Sequence, residues 1–462
     1  MSILEKLVLP EIRELIRAKD LPTLREILSE WLAPDLAALI SDLEPDEQAV
    51  VFRALEMSAA ADAFGHLEFN VQEQLAESLP VGEFVKILNG MAPDDRTRFL
   101  EDLPPDRMHR LLSLLSPEER KIAETLLAYP EESVGRLMTP DYIAVREHWT
   151  VEHVLDFVRT YGKDSETLNA IYVTDERGHL IDDIRMREVL LASLHATVRD
   201  LMDRTFVCLK VMDSKAAAVD IIRKYDRTAM PVVNDEGILV GIVTVDDVLD
   251  VADEQATREM QQMGGVEALE DPYIETPLLT MVRKRATWLV VLFLGEVLTT
   301  NAMGFYEVQL QQAMILMLFV PLIISSGGNS GSQASTLIVR ALALGEVRSQ
   351  HWLRVLGREV ASGLMLGLIL GTIGFARVAA WHAFSDEPMQ YWPQVGMTVS
   401  VALVGVVLWG TITGSMLPLI LKKVGLDPAT SSAPFVATLV DVTGLIIYFT
   451  AATVLLKGTL LD

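Results

Sequence analysis

Apolar residues follow three different patterns along the chain, and each pattern predicts a different kind of structure. Residues 1–130 repeat leucines at helical spacing, residues 131–253 contain short β-branched runs between helical stretches, and from Trp288 onwards the apolar runs become long. Helical periodicity indicates helices, β-branched runs indicate strands, and about 20 apolar residues suffice to cross the roughly 30 Å hydrocarbon core of a bilayer. The chain is therefore predicted to combine a helical region, an α/β region and a membrane region.

The predicted helices of residues 1–130 start at recurring proline–acid pairs. Pairs of this kind stand at Pro45, Pro93, Pro105 and Pro117, and the last three are twelve residues apart. Proline fits the first helical position, and acids in the first turn complement the helix dipole, so each pair marks a helix start. Short helices at this spacing suit a stacked superhelical repeat, and a plain helical bundle is the alternative.

An internal repeat organises residues 131–253. The run Ile-Tyr-Val-Thr-Asp-Glu-Arg-Gly at 171–178 is echoed by Pro-Val-Val-Asn-Asp-Glu-Gly at 231–237. In the second copy a Thr-x-x-Asp segment, Thr244 to Asp247, opens a helix. Strand, acidic glycine turn, strand and Thr-x-x-Asp together resemble a CBS domain, and two copies form a CBS pair.

Thr244 and Asp247 define a candidate nucleotide site. By resemblance to CBS domains, this pair contacts the phosphate and ribose of an adenine nucleotide such as ATP at a helix N-terminus, where backbone N–H groups favour anions. The alternative is a helix cap with no ligand. The first copy has Asp182 in place of Gly241 and Arg185 in place of Thr244, so a single nucleotide site is expected.

Five apolar runs are predicted to cross the membrane as helices. They occupy residues 286–305, 310–340, 355–381, 394–421 and 431–456. Basic residues cluster before the first run, between the second and third, and after the fourth, whereas the other loops lack bases or are acidic. Because basic loops stay inside, an odd number of crossings places the N-terminus in the cytosol and the C-terminus outside.

The 462-residue chain carries a net charge of −25 although half of its residues are hydrophobic. These two properties are separated along the chain: residues 286–462 hold nine acids and eight bases, which leaves 55 acids and 31 bases in residues 1–285. The acidic part lacks the basic footprint that nucleic-acid binding requires, so no nucleic-acid partner is expected. The charged N-terminal segment is not expected to be a signal peptide. No hydrolysis motif appears in the sequence, and we expect no enzyme.

Two acids interrupt the apolar runs. Asp441 lies midway along the fifth run, and Glu296 lies within the first. A charge at the bilayer centre costs about 2.5–3.5 kcal/mol on insertion scales, so such a residue normally faces a water-filled path or a partner. We interpret Asp441 as a cation ligand, whereas Glu296 is either a second cation ligand or a packing residue. In the second run, Asn329 lies in a small-residue segment, 325–333, and offers a neutral oxygen ligand.

The order of these segments resembles the MgtE family of magnesium channels. The resemblance rests on that order and on two segments, Pro321…Gly328-Asn329-Ser330-Gly331-Ser332-Gln333 and Pro434…Asp441. It implies a homodimer in the lipid of the bacterial cytoplasmic (inner) membrane, with Asp441 of both subunits forming the Mg²⁺ site on the dimer axis near Asn329. The implied parts are an all-α superhelical N domain at 1–130, an α/β CBS-domain pair at 131–253, a connecting plug helix at 254–280 and a five-helix transmembrane domain at 281–462. Met260, Met263, Val266 and Leu269 form one apolar stripe along that connecting helix.

Acids concentrate where the predicted domains meet. They are Asp94 and Asp95 in the helical domain, and Asp246, Asp247, Asp250, Asp253, Glu254, Glu259, Glu267, Glu270, Asp271 and Asp427 in and beyond the CBS pair. We expect these like charges to repel without a cation and bound Mg²⁺ to draw the domains together and shut the pore. An acidic surface that serves only solubility is the alternative.

The sequence thus predicts Mg²⁺ influx gated closed by intracellular Mg²⁺, with Mg²⁺ as both permeant ion and regulator. Two alternatives are a permease for Co²⁺, Mn²⁺ or Ni²⁺ and a non-conducting, nucleotide-sensing membrane receptor. Oxygen ligands without Cys or His in the spans favour Mg²⁺ over the softer ions. Asp441 in mid-span argues against the receptor.

Overall fold

The computed structural model contains two compact units, which are described separately. It describes residues 3–269, 273–274, 276–385 and 390–461. The units are Met1–Asp253 and Glu254–Asp462. Helices followed by two small sheets form the first unit, and long apolar helices dominate the second.

Short stacked helices form the N-terminal part of the first unit. They are α1 (Ile3–Ala18), α2 (Leu21–Leu28), α3 (Ala33–Ser41), α4 (Pro45–Ala54), α5 (Met57–Gly65), α6 (Phe69–Ser78), α7 (Val81–Gly90), α8 (Pro93–Glu101), α9 (Pro105–Leu114) and α10 (Pro117–Leu127). Helices α4, α8, α9 and α10 begin at the four predicted prolines. Helix α2 packs on α4, α3 on α5, α4 on α6, α5 on α7 and α8 on α10. This contact with the second helix along the chain is typical of a superhelical repeat and favours it over the plain bundle.

A cluster of aromatic rings fixes the position of α8, the helix that carries Asp94 and Asp95. Phe99 of α8 packs edge-on against Phe64 of α5 and Phe84 of α7, with ring centroids 5.2 and 5.9 Å apart. All three rings are buried. Edge-to-face pairs of this kind add stabilisation beyond that of the buried area alone.

Two three-stranded sheets follow the helices and confirm the predicted repeat. The elements are α11 (Val134–Leu137), β1 (Ala144–Arg146), α12 (Val151–Tyr161), β2 (Ala170–Thr174), β3 (Leu180–Arg185), α13 (Met186–Leu191), α14 (Val198–Leu201), β4 (Leu209–Lys210), α15 (Lys215–Tyr225), β5 (Ala229–Val233), β6 (Leu239–Thr244) and α16 (Val245–Met263). The sheet orders are β1-β2-β3 and β4-β5-β6, each with one parallel and one antiparallel pairing. Asp182 pairs with Val173 as Gly241 pairs with Val232, which confirms the predicted correspondence of the two copies.

The helix predicted to connect residues 254–280 ends earlier than the sequence indicates. Helix α16 runs only to Met263, and Gly265 adopts φ +71°. The amide of Val266 donates to the carbonyl of Gln261 at 3.0 Å, which is the closing bond of a Schellman C-cap. The predicted stripe therefore stops at Met263, because two glycines end the helix. A Cβ on Gly265 would lie 2.6 Å from Trp288 Cδ1 and 3.3 Å from Pro434 Cγ, so this turn packs tightly on two apolar helices of the second unit.

Five helices of the described chain are long and apolar enough to cross a membrane. The second unit contains α17 (Leu278–Phe305), α18 (Glu307–Gln312), α19 (Val320–Ala343), α20 (Trp352–Phe384), α21 (Trp392–Lys423) and α22 (Ala433–Leu455). Four predicted runs match α17, α20, α21 and α22, and the helices extend past the apolar runs at most of their ends. The predicted continuous helix at 310–340 is wrong at its start. Helix α18 stops at Gln312, Ala313 is non-helical, and the 3-10 turn Met314–Phe319 leads into α19.

Glycines bring α19 and α21 into backbone contact. Gly327 and Gly331 on α19 face Gly410 and Gly414 on α21, two G-x-x-x-G pairs. A Cβ on Gly414 would overlap the carbonyl oxygen of Gly331 and lie 2.8 Å from its carbonyl carbon. Small residues permit such close approach of helices in a membrane. Asn329 lies between Gly327 and Gly331, so this packing fixes the turn of α19 that carries Asn329 against α21.

Candidate ion site and acidic cluster

Three spanning helices converge on Asp441. Its half-buried side chain projects from the interior of α22, and the carboxyl group of Glu296 on α17 lies within hydrogen-bonding contact of it. A Cβ built on Gly328 of α19 would lie 3.6 Å from Asp441 Oδ1, so that carboxylate also lies against the α19 backbone. Helix α17 approaches α22 here because Gly295 leaves room for Thr438. The structure thus joins the two acids that the sequence marks separately.

Asn329 lies next to this site but forms no hydrogen bond to Asp441. It follows Gly328 on α19, is exposed, and donates from Nδ2 to Ser325 Oγ at 3.4 Å. Within the described residues, no Lys or Arg lies within ion-pair distance of Asp441 or Glu296. The two carboxyl groups therefore interact with each other and have no basic partner among the described residues.

Asp94 and Asp247 form the centre of a second acidic cluster, in the first unit. Asp94 lies in the first turn of α8 and Asp247 in the first turn of α16, and Asp94 Oδ1 is buried with no hydrogen-bond partner among the described residues. Burial and the nearby Asp247 carboxylate raise the pKa of Asp94 well above its ordinary value. Burial also raises the pKa of Asp247 to about 7, although Thr244 Oγ1 donates to its Oδ2 at 2.6 Å. The pair is therefore short of positive charge.

Asp95, Asp246 and Asp250 extend this cluster. Burial raises the pKa of Asp95, with further contributions from Asp246 and Asp250, whereas His66 and Arg98 oppose the rise. Arg98 Nη1 pairs with Asp250 Oδ2 at 2.8 Å. The structure thus brings the acids at the start of α8 near those of α16.

Glu166 belongs to the cluster although the sequence did not mark it. Burial raises its pKa, followed by the nearby carboxylates of Asp246 and Asp95. It lies in a loop between α12 and β2. No local pattern identifies such a residue, because only the packing of the repeat brings this loop to α8 and α16.

The remaining predicted acids are dispersed. Burial raises the pKa of Glu259, with a further contribution from Asp427, and Asp427 Oδ1 also accepts from the Ala429 amide at 2.9 Å. Asp253, Glu254 and Glu267 are exposed. Glu270 and Asp271 lie outside the described residues. Among the residues that are described, no three His, Cys, Asp or Glu side chains close into a metal cage within one chain.

The two residues of the predicted nucleotide site, Thr244 and Asp247, are hydrogen-bonded to each other. Thr244 is 5% exposed and its hydroxyl is committed to Asp247. Asp247 therefore joins two predicted sites, the nucleotide pair and the acidic cluster. In the first copy Arg185 occupies the strand position of Thr244, opposite Ala170, so that copy lacks the hydroxyl.

Comparison with known proteins shows which family the chain belongs to. Residues 320–451 match the MgtE divalent cation transporter family, residues 32–132 match the MgtE intracellular N domain, and residues 134–195 and 198–254 match the CBS domain. The magnesium transporter MgtE of Thermus thermophilus is 39% identical over 342 residues, which cover 73% of each chain. This chain belongs to the MgtE family. The magnesium transporter MgtE of Enterococcus faecalis is 30% identical over 72% of the chain and 71% of that protein.

Two solved structures resemble the MgtE-family fold of the chain. The cytosolic domain of the Mg²⁺ channel MgtE in complex with ATP is 37% identical, with a TM-score of 0.51 over 53% of this chain and 99% of that one. The soluble part of a magnesium transporter is 25% identical, with a TM-score of 0.52 over 55% of this chain and 99% of that one. The relatives are transporters, and the chain is a membrane transporter of this family rather than an enzyme.

Proposed function

We propose that this MgtE-family protein is a Mg²⁺-selective channel that mediates influx across a bacterial cytoplasmic membrane, with its N-terminus in the cytosol and its C-terminus outside. The observation that carries the proposal is the contact between Asp441 and Glu296 on adjacent spanning helices beside the Gly328 backbone. In a homodimer two such pairs face one path. No energy source is required, because a divalent ion entering down the potential gains about 4.6 kcal/mol per 100 mV.

The chemistry of the donors suits a hydrated Mg²⁺ ion. Mg²⁺ prefers oxygen, loses its water reluctantly and is usually held by one or two carboxylates while it keeps several waters. Asp441 and Glu296 supply carboxylates, and Asn329 supplies a neutral amide oxygen on the neighbouring helix. Softer ions such as Co²⁺ and Ni²⁺ are better held by imidazole or thiolate, which these three residues do not offer.

Flux into liposomes tests this site. Mg²⁺ uptake by the reconstituted protein should fall at least tenfold on Asp441→Ala, whereas Glu346→Ala, an exposed acid in a loop between spans, should transport normally. Glu296→Gln should lower uptake less than Asp441→Ala. Undiminished uptake by Asp441→Ala would remove the pore assignment, and equal uptake of Co²⁺, Mn²⁺ or Ni²⁺ would favour the broader permease.

The acidic cluster supports a second proposal, closure by intracellular Mg²⁺. Asp94, Asp95, Glu166 and the α16 acids Asp246, Asp247 and Asp250 place like charges together, and burial makes their ionised forms unfavourable. Bound Mg²⁺ would neutralise them, and the buried Asp94 Oδ1, which accepts no hydrogen bond from the described residues, is a suitable acceptor for a hydrated ion. Mg²⁺ closes the protein only if it binds the closed form more tightly. Asp253, Glu254, Glu259, Glu267, Glu270, Asp271 and Asp427 are proposed as further Mg²⁺ ligands of this regulation.

Limited proteolysis of the full-length protein tests this closure. Millimolar Mg²⁺ should protect the first unit of the wild type. The double variant Asp94→Asn/Asp247→Asn should be protected at any Mg²⁺ concentration, because its neutral side chains at these two positions no longer repel each other. Asp220→Asn, an exposed acid on α15, is the matched control and should behave as wild type. Identical cleavage of the wild type with and without Mg²⁺ contradicts the proposal.

ATP is the proposed nucleotide of the CBS pair. The support is the Thr244–Asp247 pair at the start of α16 together with the ATP-bound relative. Equilibrium dialysis with ATP should show binding to the wild type and a loss of at least tenfold in affinity for Thr244→Ala. Equal affinity of both proteins would assign Thr244 to helix capping alone.

A further inference from the structure

Arg98 lies among the acids where α8 meets α16. Asp95 and Arg98 are three residues apart on α8 and share one face, as Asp247 and Asp250 do on α16. Arg98 Nη1 lies 2.8 Å from Asp250 Oδ2, across 152 residues of sequence. Its charge also opposes the rise in the pKa of Asp95. The guanidinium therefore acts on carboxylates of both helices.

This contact differs from the ion pairs that lie within single helices. Arg120–Glu124 and Arg159–Asp156 lie within single helices, four and three residues apart, whereas Arg98 joins two separate elements. It also lies at the edge of a cluster whose central members are buried and short of positive charge. Loss of a local pair changes only one helix, but loss of Arg98 adds net negative charge to the contact between α8 and α16.

We propose that Arg98 is an internal counter-cation of this cluster. Its ion pair with Asp250 holds α8 and α16 together at that position without a metal ion. The proposal deepens the Mg²⁺-dependent closure and rests on it. Because one edge is already neutralised, the protein needs bound Mg²⁺ chiefly at the Asp94–Asp247 centre. Arg98 thus sets the Mg²⁺ concentration at which the first unit closes.

The pair is partly solvated, and this limits the size of its effect. The side chains of Arg98 and Asp250 are 57% and 60% exposed. Exposed pairs change an equilibrium by at most roughly fivefold. We expect Arg98→Met, which keeps an apolar stem and removes the charge, to raise the Mg²⁺ midpoint for protection roughly two- to fivefold. Arg98→Lys keeps the charge and should stay close to the wild type.

Limited proteolysis of the purified full-length protein over a Mg²⁺ titration measures these midpoints. Arg159→Met is the control, since it removes one exposed arginine whose partner Asp156 lies 3.0 Å away on the same helix. A higher midpoint for Arg98→Met alone supports the proposal. A wild-type midpoint for Arg98→Met overturns it, and so does an equal shift in Arg98→Lys or in Arg159→Met.

Failure of the underlying closure is recognised separately. If Mg²⁺ protects no variant, the closure proposal fails, and cleavage in Mg²⁺-free buffer then reports on Arg98 alone. In that buffer Arg98→Met should be cut faster than the wild type and Arg98→Lys at the wild-type rate. Equal rates for all three would refute the counter-cation role by itself.

Discussion

Replacement of Gly414 by alanine tests whether the glycine contact of α19 and α21 holds the transmembrane domain together. The added Cβ would overlap the carbonyl oxygen of Gly331 and lie 2.8 Å from its carbonyl carbon and 3.0 Å from its Cα. Carbon atoms pack best at roughly 3.5–4.0 Å, so the two backbones must separate by about 1 Å. The obstacle is backbone rather than a flexible side chain, and no rotamer change can relieve it.

The size of the effect follows from two opposing contributions. Overpacking of a well-packed interior costs about 1–3 kcal/mol. Alanine in place of glycine in a helix gains about 0.5–1 kcal/mol where nothing obstructs the new methyl group. Gly357 on α20 offers that unobstructed case, because a Cβ there would meet nothing within 4 Å. Gly414→Ala should therefore lose stability while Gly357→Ala gains slightly.

Thermal unfolding of the detergent-solubilised protein provides the assay, with Mg²⁺ uptake into liposomes as a second measurement. Gly414→Ala should unfold at a lower temperature than the wild type and transport less, because α19 also carries Asn329. Gly357→Ala should unfold at the same or a higher temperature and transport normally. Equal unfolding temperatures for the two variants would refute the argument from backbone contact.

Two further predictions concern the first unit. The pKa of Asp247 is about 7, above its ordinary 3.8, so its contribution to the closed contact is complete below pH 3.8 and is lost as the pH rises through 7. Lowering the pH from about 8 to about 6 without Mg²⁺ should slow proteolysis of the wild type more than that of Asp247→Asn, in which the raised pKa of Asp94 remains. An equal pH response in the two proteins would exclude Asp247. Arg96 is fully buried and paired with Glu119, so Arg96→Met should destabilise the protein by about 2–4 kcal/mol. Thermal unfolding of this variant, compared with the exposed Arg53→Met, measures that loss; a wild-type unfolding temperature would contradict it.

Local signals predicted much of the fold. Proline–acid pairs gave the starts of α4, α8, α9 and α10, since proline and first-turn acids act through the helix terminus itself. The matching topology of the two sheets agrees with the internal repeat, because two copies of one pattern fold alike. Ala313 was not marked, and the apolar run around it conceals the break between α18 and the following 3-10 turn.

The sequence predicted which residue types belong to the candidate sites, but not which side chains contact each other there. Asp441 and Glu296 stand out as acids within apolar runs, yet their contact depends on how α17 packs on α22. Glu166 and Arg98 join the acidic cluster through tertiary packing, and neither carries a local signal. Charge counting finds an acidic surface, whereas the position of Arg98 within it is a property of the folded chain.

The glycine turn after α16 contacts the N-terminal end of α22, the transmembrane helix that carries Asp441. Gly265 rests against Trp288 and Pro434, and Trp288 Nε1 donates to Ser432 Oγ at 3.1 Å, at the start of α22. Pro434 precedes Asp441 by seven residues, about two helical turns or roughly 10 Å along the axis. A displacement of this turn would therefore act on the N-terminal end of α22, and Asp441 would move with the same helix.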